Sequence, residues 1–146
     1  MSTRDTILES FKTMAGNITV GNGFVTTVAK SERKFTFWDQ IKEYPHVMIL
    51  GGDESFEDTL GGETSSWMEL KIKGYSRDRE EPEVALCNII GDLIRALNSS
   101  TYNSYRTSTM MLGVQTDEGW IHSESEGIGM FQINVRVLYQ FDRGNP

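Results

Sequence analysis

A long alternating segment near the C-terminus constrains the fold more than any other part of the sequence. Over residues 131–141, apolar residues occupy every second position and the positions between them are mostly polar. This period of two is typical of a β-strand with one buried face. Eleven residues of strand span roughly 37 Å. Because an exposed flat edge of that length invites aggregation, we expect the strand to pair on both sides or to be covered.

Two helices and four more strands are predicted before this segment. Apolar residues at helical spacing predict helices over residues 6–15 and 82–97, and Pro82 suits the first position of the second helix. Strands are predicted at residues 24–29, 47–50, 67–75 and 110–116. The order α-β-β-β-α-β-β indicates an α+β fold. In it, two main helices pack on a twisted, mostly antiparallel β-sheet, as one domain over residues 1–146.

The segments between these elements are predicted to be connectors and loops. Residues 30–34 are interpreted as a charged connector. Residues 53–63 are interpreted as an exposed, mobile acidic loop, because Gly51 and Gly52 end the strand before it. The single cysteine, Cys87, lies within the apolar pattern of the second helix, so we expect a buried structural thiol.

The balance of charges argues against one class of partner. Lys and Arg total 14 against 21 Asp and Glu, so the net charge is −7, the wrong sign for gripping a phosphate backbone. We therefore expect no direct nucleic-acid binding. The sequence has no apolar run behind a basic start and no apolar stretch long enough for a bilayer. We expect a soluble chain without a signal peptide or a membrane anchor.

Catalytic and metal-binding patterns are scarce. His46 and His122 lie in different segments without Cys, Asp or Glu at metal-ligand spacing, and no phosphate-loop or Gly-x-Ser-x-Gly pattern is present. The acidic stretch that begins at Asp53 contains carboxylates of the kind that bind calcium, but it lacks EF-hand spacing, and a solvated loop is favoured. We predict no catalytic residue, no metal site and no cofactor.

Several of these segments occur in a familiar arrangement. The amphipathic strand ending in Leu70-Lys-Ile-Lys-Gly-Tyr75 is followed by a charged turn and by the helix over residues 82–97. Gly113-Val-Gln-Thr-Asp-Glu-Gly119 and the C-terminal strand come next. Between about residues 45 and 141, this arrangement resembles the tail terminator, or tail completion, proteins of long-tailed bacteriophages. The acidic segment after Gly52 and the aromatic segment 35–38 do not map onto it.

The resemblance implies a structural protein and not an enzyme. Such a protein forms a ring, a homohexamer, that caps the finished tail tube, stops its polymerisation and presents a surface to the head connector. The implied partners are further copies of the chain, the tail tube protein and the head connector or neck protein, with no membrane. The implied location is the tail-neck junction of the virion, after assembly in the host cytoplasm.

Two groups of residues are candidates for this role. Six copies would carry about −42 in total (six times −7), and an acidic channel would let DNA pass without specific binding. The candidate channel-lining acids are Asp53, Glu54, Glu57, Asp58, Glu124 and Glu126. Purely solubilising loops are an equally good interpretation of these acids. The candidate assembly turn consists of Asp117, Glu118 and Gly119.

Three other functions remain as alternatives. The first is another head-tail joining or neck protein. The second is a small hydrolase that uses Asp117, Glu118 and His122, which is disfavoured because adjacent carboxylates on a turn usually both face water. The third is a ligand-binding module with Trp38, Trp67 and Trp120 lining a pocket, although scattered tryptophans are more often core or interface residues.

Overall fold

The computed structural model describes residues 2–58, 61–103, 105–116 and 127–142. Its elements are α1 (Thr3–Gly16), β1 (Lys30–Glu32), β2 (His46–Asp58), β3 (Glu63–Arg77), α2 (Pro82–Leu97), β4 (Arg106–Thr116) and β5 (Ile128–Asp142). Short 3₁₀ turns lie at Val20–Asn22 and Trp38–Gln40. The predicted order of helices and strands is confirmed, and α2 has the predicted bounds.

The strands form one mixed sheet in the order β1-β2-β3-β5-β4. Only β1 and β2 are parallel, and every other neighbouring pair is antiparallel. β5 lies between β3 and β4, and it pairs with β3 without interruption from Glu63↔Asp142 to Arg77↔Ile128. The expectation that the long C-terminal strand pairs on both sides is therefore confirmed, as is the α+β class.

The helices cover one face of the sheet and build the main core there. On that face Leu70 and Ile72 of β3, and Ile133 and Val135 of β5, have no exposed surface. The helices contribute Ile7, Leu8, Phe11, Met14 and Ala15 from α1 and Leu86, Ile89, Ile90, Leu93, Ala96 and Leu97 from α2. Burying one such aliphatic or aromatic side chain contributes about 1.5–3 kcal/mol, so this face supplies most of the folding free energy.

A glycine makes room for a large ring in this core. Gly74 of β3 lies directly opposite Phe131 of β5, and Phe131 is among the largest fully buried side chains. A Cβ at position 74 would collide with the Phe131 ring. The two central strands therefore depend on glycine at this position.

A smaller cluster lies on the opposite face of the sheet. The segment between β1 and β2 crosses one end of that face, where Ile41 packs with Met48 and Tyr75. Trp38 and Tyr44 of the same segment pack against the edge of this cluster. Along the rest of this face the residues of β3 and β5 alternate outward and are mostly polar.

The predicted strand over residues 24–29 is wrong. Asp92 of α2, which is only 3% exposed, accepts hydrogen bonds from the backbone N–H groups of Val25 and Thr26, at 3.2 and 2.8 Å, and from the Thr26 hydroxyl. A side chain thus satisfies backbone donors that a strand would have paired with a neighbour. The β-branched residues that suggested a strand lie in an irregular segment.

The short strand itself lies a few residues later. The residues expected to form a charged connector include β1, Lys30–Glu32, which pairs in parallel with His46, Val47 and Met48. The buried partner strand provides the register, so a polar tripeptide can pair at the sheet edge without an apolar pattern of its own.

The acidic loop expected over residues 53–63 is also wrong, because β2 continues to Asp58. The register with β3 shifts between Gly51 and Glu54, which marks an irregularity of the β-bulge type. A Cβ at Gly52 would lie 3.0 Å from the carbonyl oxygen of Glu69, so glycine permits this close approach of the backbones. The two glycines bend the strand and do not end it.

Cys87 is exposed, contrary to the expectation of a buried thiol. The buried positions of α2, such as Leu86, Ile90 and Leu93, form one stripe. Position 87 is rotated by about 100° from position 86 and leaves that stripe on the solvent side. Within the described ranges, no helix is long and apolar enough to cross a membrane.

We predict that Val135→Asp prevents folding. Val135 is fully buried opposite Leu70 in the centre of the sheet, and an unpaired carboxylate there costs several kcal/mol. That loss is comparable with the total stability of a small domain, about 5–15 kcal/mol. Circular dichroism with urea titration measures the effect. Gln140→Asp, at an exposed position of the same strand, is the matched control and should retain near-wild-type stability; a folded Val135→Asp protein would contradict the assignment of this face.

Candidate assembly surfaces

The sheet extends beyond the helices as an arm. The arm consists of residues 55–58 of β2, 61–66 around the start of β3, and 139–142 of β5. Phe56 lies on the helix-facing side, opposite the buried Ser66, yet 63% of its surface is exposed. Its ring meets that of Phe141 edge to face, with centroids 6.1 Å apart. The helices therefore do not cover this end of the sheet.

An ion pair joins the base of the arm to α1. The guanidinium of Arg4 donates to a carboxylate oxygen of Glu54 and to the carbonyl oxygen of Gly52, the latter at 2.7 Å. The hydroxyls of Ser66 and Tyr139 donate to the other oxygen of Glu54, at 2.9 and 2.8 Å. The side chain of Glu54 is only 7% exposed. This network holds the irregular part of β2 against the first helix.

The network also sets the protonation of the carboxyl group. Burial by itself raises the pKa of Glu54, but the hydrogen bonds from Arg4, Tyr139 and Ser66 together outweigh it and lower that pKa below its ordinary value. Burial, together with the bond to Glu54, raises the pKa of Tyr139. The carboxylate stays ionised and the phenol stays neutral, as their donor and acceptor roles require.

Aromatic and basic side chains meet at the far end of the opposite face, and we call this surface the basic patch. It consists of Phe35, Phe37, Lys71 and Lys73. The two phenylalanine rings meet edge to face at 4.9 Å and are 41% and 60% exposed. The ammonium of Lys73 lies 5.5 Å from the centroid of the Phe35 ring, within cation-π range.

The middle of the same face carries a second cation-π contact. The guanidinium of Arg136 lies 4.5 Å from the Trp67 ring, and Glu69 lies directly opposite Arg136 on β3. A shallow hollow of about 160 Å³ is lined by these side chains and by Asp53, Glu54 and Ser55. Trp38 belongs instead to the small cluster near Met48, so the structure does not bring it together with Trp67.

A hollow of about 360 Å³ lies beside β1. His46, which is 3% exposed, has its Nε2 2.8 Å from a carboxylate oxygen of Glu32, and the Thr36 hydroxyl donates to that same oxygen at 2.7 Å. Burial raises the pKa of Glu32, but the bonds to Thr36 and His46 and nearby Lys30 together lower it. A carboxylate so occupied is a weak base, and its contacts join β1 to the segment that follows it.

Comparison with a protein-family model shows the family of this chain. The model, described as bacteriophage tail tube terminator protein, matches residues 1–145. The chain belongs to this family. A relative, the tail tube terminator protein p142 of Escherichia phage T5, is 25% identical over 132 residues, which cover 82% of this chain and 78% of the relative. The predicted resemblance is confirmed, and the match includes the N-terminal segments that the motif arrangement did not cover.

As a member of this family, the terminator is a structural component of a phage tail and associates with the tail tube and other virion components. Among the residues whose structure is described, no group of three or more His, Cys, Asp or Glu is placed to hold a metal ion. The proposed hydrolase residues Asp117, Glu118 and His122 lie outside the described residues, as does Trp120. Family membership therefore carries the functional assignment.

The structure describes four of the nine predicted functional residues of the terminator. Asp53, Glu57 and Asp58 are exposed on β2, and Asp58 accepts a hydrogen bond from Thr64 at 2.8 Å. Glu54 is instead enclosed by the Arg4 network. The remaining five, Glu124, Glu126, Asp117, Glu118 and Gly119, lie outside the described residues.

Sequence reasoning missed two contacts between distant residues of the terminator: the contact of Lys73 with Phe35 and the ion pair of Arg4 with Glu54. Alternation along β3 indicated that Lys71 and Lys73 share the polar face, but it gave no sign that Phe35, from a separate segment, lies against Lys73. Arg4 and Glu54 are 50 residues apart in sequence. A helical or strand period reports only local spacing, so neither contact leaves a signal in it.

We predict that the Glu54 network makes the terminator less stable in acid. Because the folded pKa lies below the ordinary value of 4.5, the contribution is complete above that value and is lost as pH falls through the folded pKa. Glu54→Gln should cost about 1.5–3 kcal/mol at neutral pH, and its difference from wild type should shrink below pH 4.5.

Urea unfolding at several pH values measures this difference. The matched control is Asp53→Asn, an equivalent change at the adjacent exposed position, which should leave the unfolding free energy within about 0.5 kcal/mol at every pH. A pH-independent difference for Glu54→Gln would show that the ionised carboxylate does not stabilise the arm.

Proposed function

We propose that this terminator forms a ring, a homohexamer, that caps the finished tail tube, stops its polymerisation and joins the tail to the head connector. The whole chain, residues 1–146, acts as one terminator domain at the tail-neck junction, after assembly in the host cytoplasm. The observation that carries the proposal is the match of the tail tube terminator family to residues 1–145.

The unpaired strand edges support the ring. Along the described part of the sheet, β4 pairs on one side only, with β5. β2 pairs with β1 only from His46 to Met48, so its remaining length has an open edge. A ring needs two different patches that meet between successive copies. Open edges and the projecting arm provide such surfaces, and covering them in an assembly removes an aggregation hazard.

The acidic charge supports passage of DNA through the ring. Six copies carry about −42 in total (six times −7), and a wall of that sign repels phosphates. Glu54 is excluded from the wall because Arg4 neutralises it. The remaining candidates are Asp53, Glu57 and Asp58, with Glu124 and Glu126 beyond the described residues. The candidate assembly turn, Asp117, Glu118 and Gly119, is proposed to contact another virion component.

We predict that particles lacking this protein have overlong tails. With the cap absent, subunits continue to add to the tube after it has reached its working length. Electron microscopy of particles from a deletion mutant measures tail length, and purified protein added to polymerising tube subunits should shorten and narrow the length distribution. Native mass measurement should give six copies.

The same images distinguish the alternative joining role. Tails of normal length that fail to attach to heads would assign the protein to the neck and would contradict termination. Tubes that grow equally long with and without the protein would contradict it as well. The control is a folded variant with an altered exposed residue outside the arm and the basic patch, such as Glu80→Gln, which should terminate normally.

A further inference from the structure

We propose that the arm of one copy binds the basic patch of the next copy in the ring. The contacting part of the arm is the acidic tip, formed by Phe56, Glu57 and Phe141. Its counterpart is the basic patch of Phe35, Phe37, Lys71 and Lys73. This inference rests on the proposed ring and names the contact that closes it.

The two surfaces cannot meet within one chain. Phe56 lies opposite Ser66 on β3, and Lys73 lies seven residues further along that strand, a separation of roughly 23 Å. The Phe56 side chain is on the helix-facing side, with Phe141. Lys73 is on the other face, with Phe35. Glu57, which is opposite Ser65, is on that other face too, because successive strand residues alternate between faces. The tip and the basic patch therefore lie at opposite ends of the same sheet, with the rings of the tip on one face of the arm and its carboxylate on the other.

That placement suits a head-to-tail contact. A patch that recognises itself gives a closed pair, whereas two different patches that recognise each other join copies in series and give a ring when the rotation closes. Six acidic tips can then meet six basic patches, with every copy using both. Because the two patches are far apart on one sheet, a single copy can make both contacts at the same time.

The charges of the two surfaces are complementary. The residues directly opposite Lys71 and Lys73 on the two adjacent strands are uncharged: Leu50, Asn134, Met48 and Gln132. The nearest acid along the same face of β3 is Glu69, which lies opposite Arg136. In the part of the chain that the structure describes, neither lysine is in an ion pair. The same holds for Glu57 on the tip. In a protein of net charge −7, a pair of unneutralised lysines is a local exception, and a carboxylate from another copy is suited to it.

The aromatic residues provide the apolar part of the contact. Phe56 and Phe37 are both more than half exposed, and Phe35 is exposed as well. Exposed aromatic side chains that become buried at an interface contribute most of its binding energy, while surrounding charges set orientation and association rate. Each surface has a phenylalanine pair, and the charged side chains of the two surfaces are of opposite sign.

In this arrangement Glu57 belongs to the contact between copies, and Asp53 stays available for the channel wall. The tail tube protein is the other possible occupant of the basic patch. A charge reversal in the basic patch distinguishes the two occupants. If the ring no longer forms, the occupant is a second copy. If rings form but no longer bind tubes, the occupant is the tube protein.

Charge reversal tests the contact. Glu57→Lys and Lys73→Glu should each weaken ring formation by about tenfold or more, since each places like charges together. The double variant restores opposite charges and should form rings within about threefold of wild type. Lys71→Glu, at an exposed neighbouring position, is a second patch variant. Glu80→Lys and Arg79→Glu, exposed positions on the turn before α2 with the same charge changes, are the controls and should assemble normally. Thermal unfolding checks that every variant is folded.

Mixing the two single variants makes the test specific for a head-to-tail contact. In the mixture, the unchanged Glu57 of one variant meets the unchanged Lys73 of the other. At the next contact around the ring the two reversed side chains meet, and their charges are again opposite. Rings should therefore reappear with the two variants alternating. Native mass spectrometry of a mixture in which one variant is isotope-labelled should show three copies of each. Single variants that remain unassembled when mixed would overturn the contact.

The outcomes separate this contact from the proposed function. Wild-type-like rings from all single variants would overturn the arm contact and leave termination intact. Rings that form but fail to bind tubes would assign the patch to the tube protein. Absence of wild-type rings both in solution and on tube ends would overturn the ring, and the contact with it.

Discussion

The uninterrupted pairing of β3 with β5 is the interaction on which the rest of the structure depends. The two strands pair over their full length, from Glu63↔Asp142 to Arg77↔Ile128. Their helix-facing residues form the centre of the main core, and β2 and β4 add to their outer edges. Because both strands are longer than the helices that cover them, the same pairing that builds the core also carries the arm into solvent. The main core and the candidate assembly surface on the arm thus share one pair of strands.

The transition from core to arm takes place at the irregular part of β2. Gly51 and Gly52 shift the register there, and Arg4 reaches from α1 to bind both the Gly52 carbonyl and Glu54. A buried carboxylate is costly unless its hydrogen bonds are satisfied, and here three side chains satisfy it. The ion pair therefore holds the base of the arm against α1.

The candidate assembly surfaces of this terminator are a projecting arm and an exposed face of the sheet. Its described hollows are shallow or are occupied by side chains that bond to one another, as Glu32 and His46 do. The exposed aromatic residues of the described ranges instead concentrate at the acidic tip and the basic patch, two surfaces of opposite charge. A structural component of a tail works through contacts between subunits, and the distribution of apolar and charged residues on this sheet corresponds to that role.

Local patterns in the sequence determined the elements and their order. The alternation over residues 131–141 and the helical spacing over residues 82–97 identified the central strand and the main helix, because each element buries one face and repeats with its own period. Arrangement of motifs was also enough to indicate the family. The same reasoning failed where a distant side chain determined the backbone conformation, as Asp92 does for residues 24–29.

Only the tertiary structure decided which charged side chains are exposed and free to make contacts. Asp53, Glu54 and Glu57 look alike in the sequence, but the fold encloses Glu54 with Arg4, Ser66 and Tyr139 and leaves the other two exposed. It also extends β2 through a segment whose composition resembles a loop, and it brings Phe35 to Lys73. These outcomes depend on contacts between residues far apart in the chain, whereas periodicity reports only on neighbours along it. The sequence alone therefore determined the architecture and the family, and the tertiary structure determined the surfaces through which the protein can act.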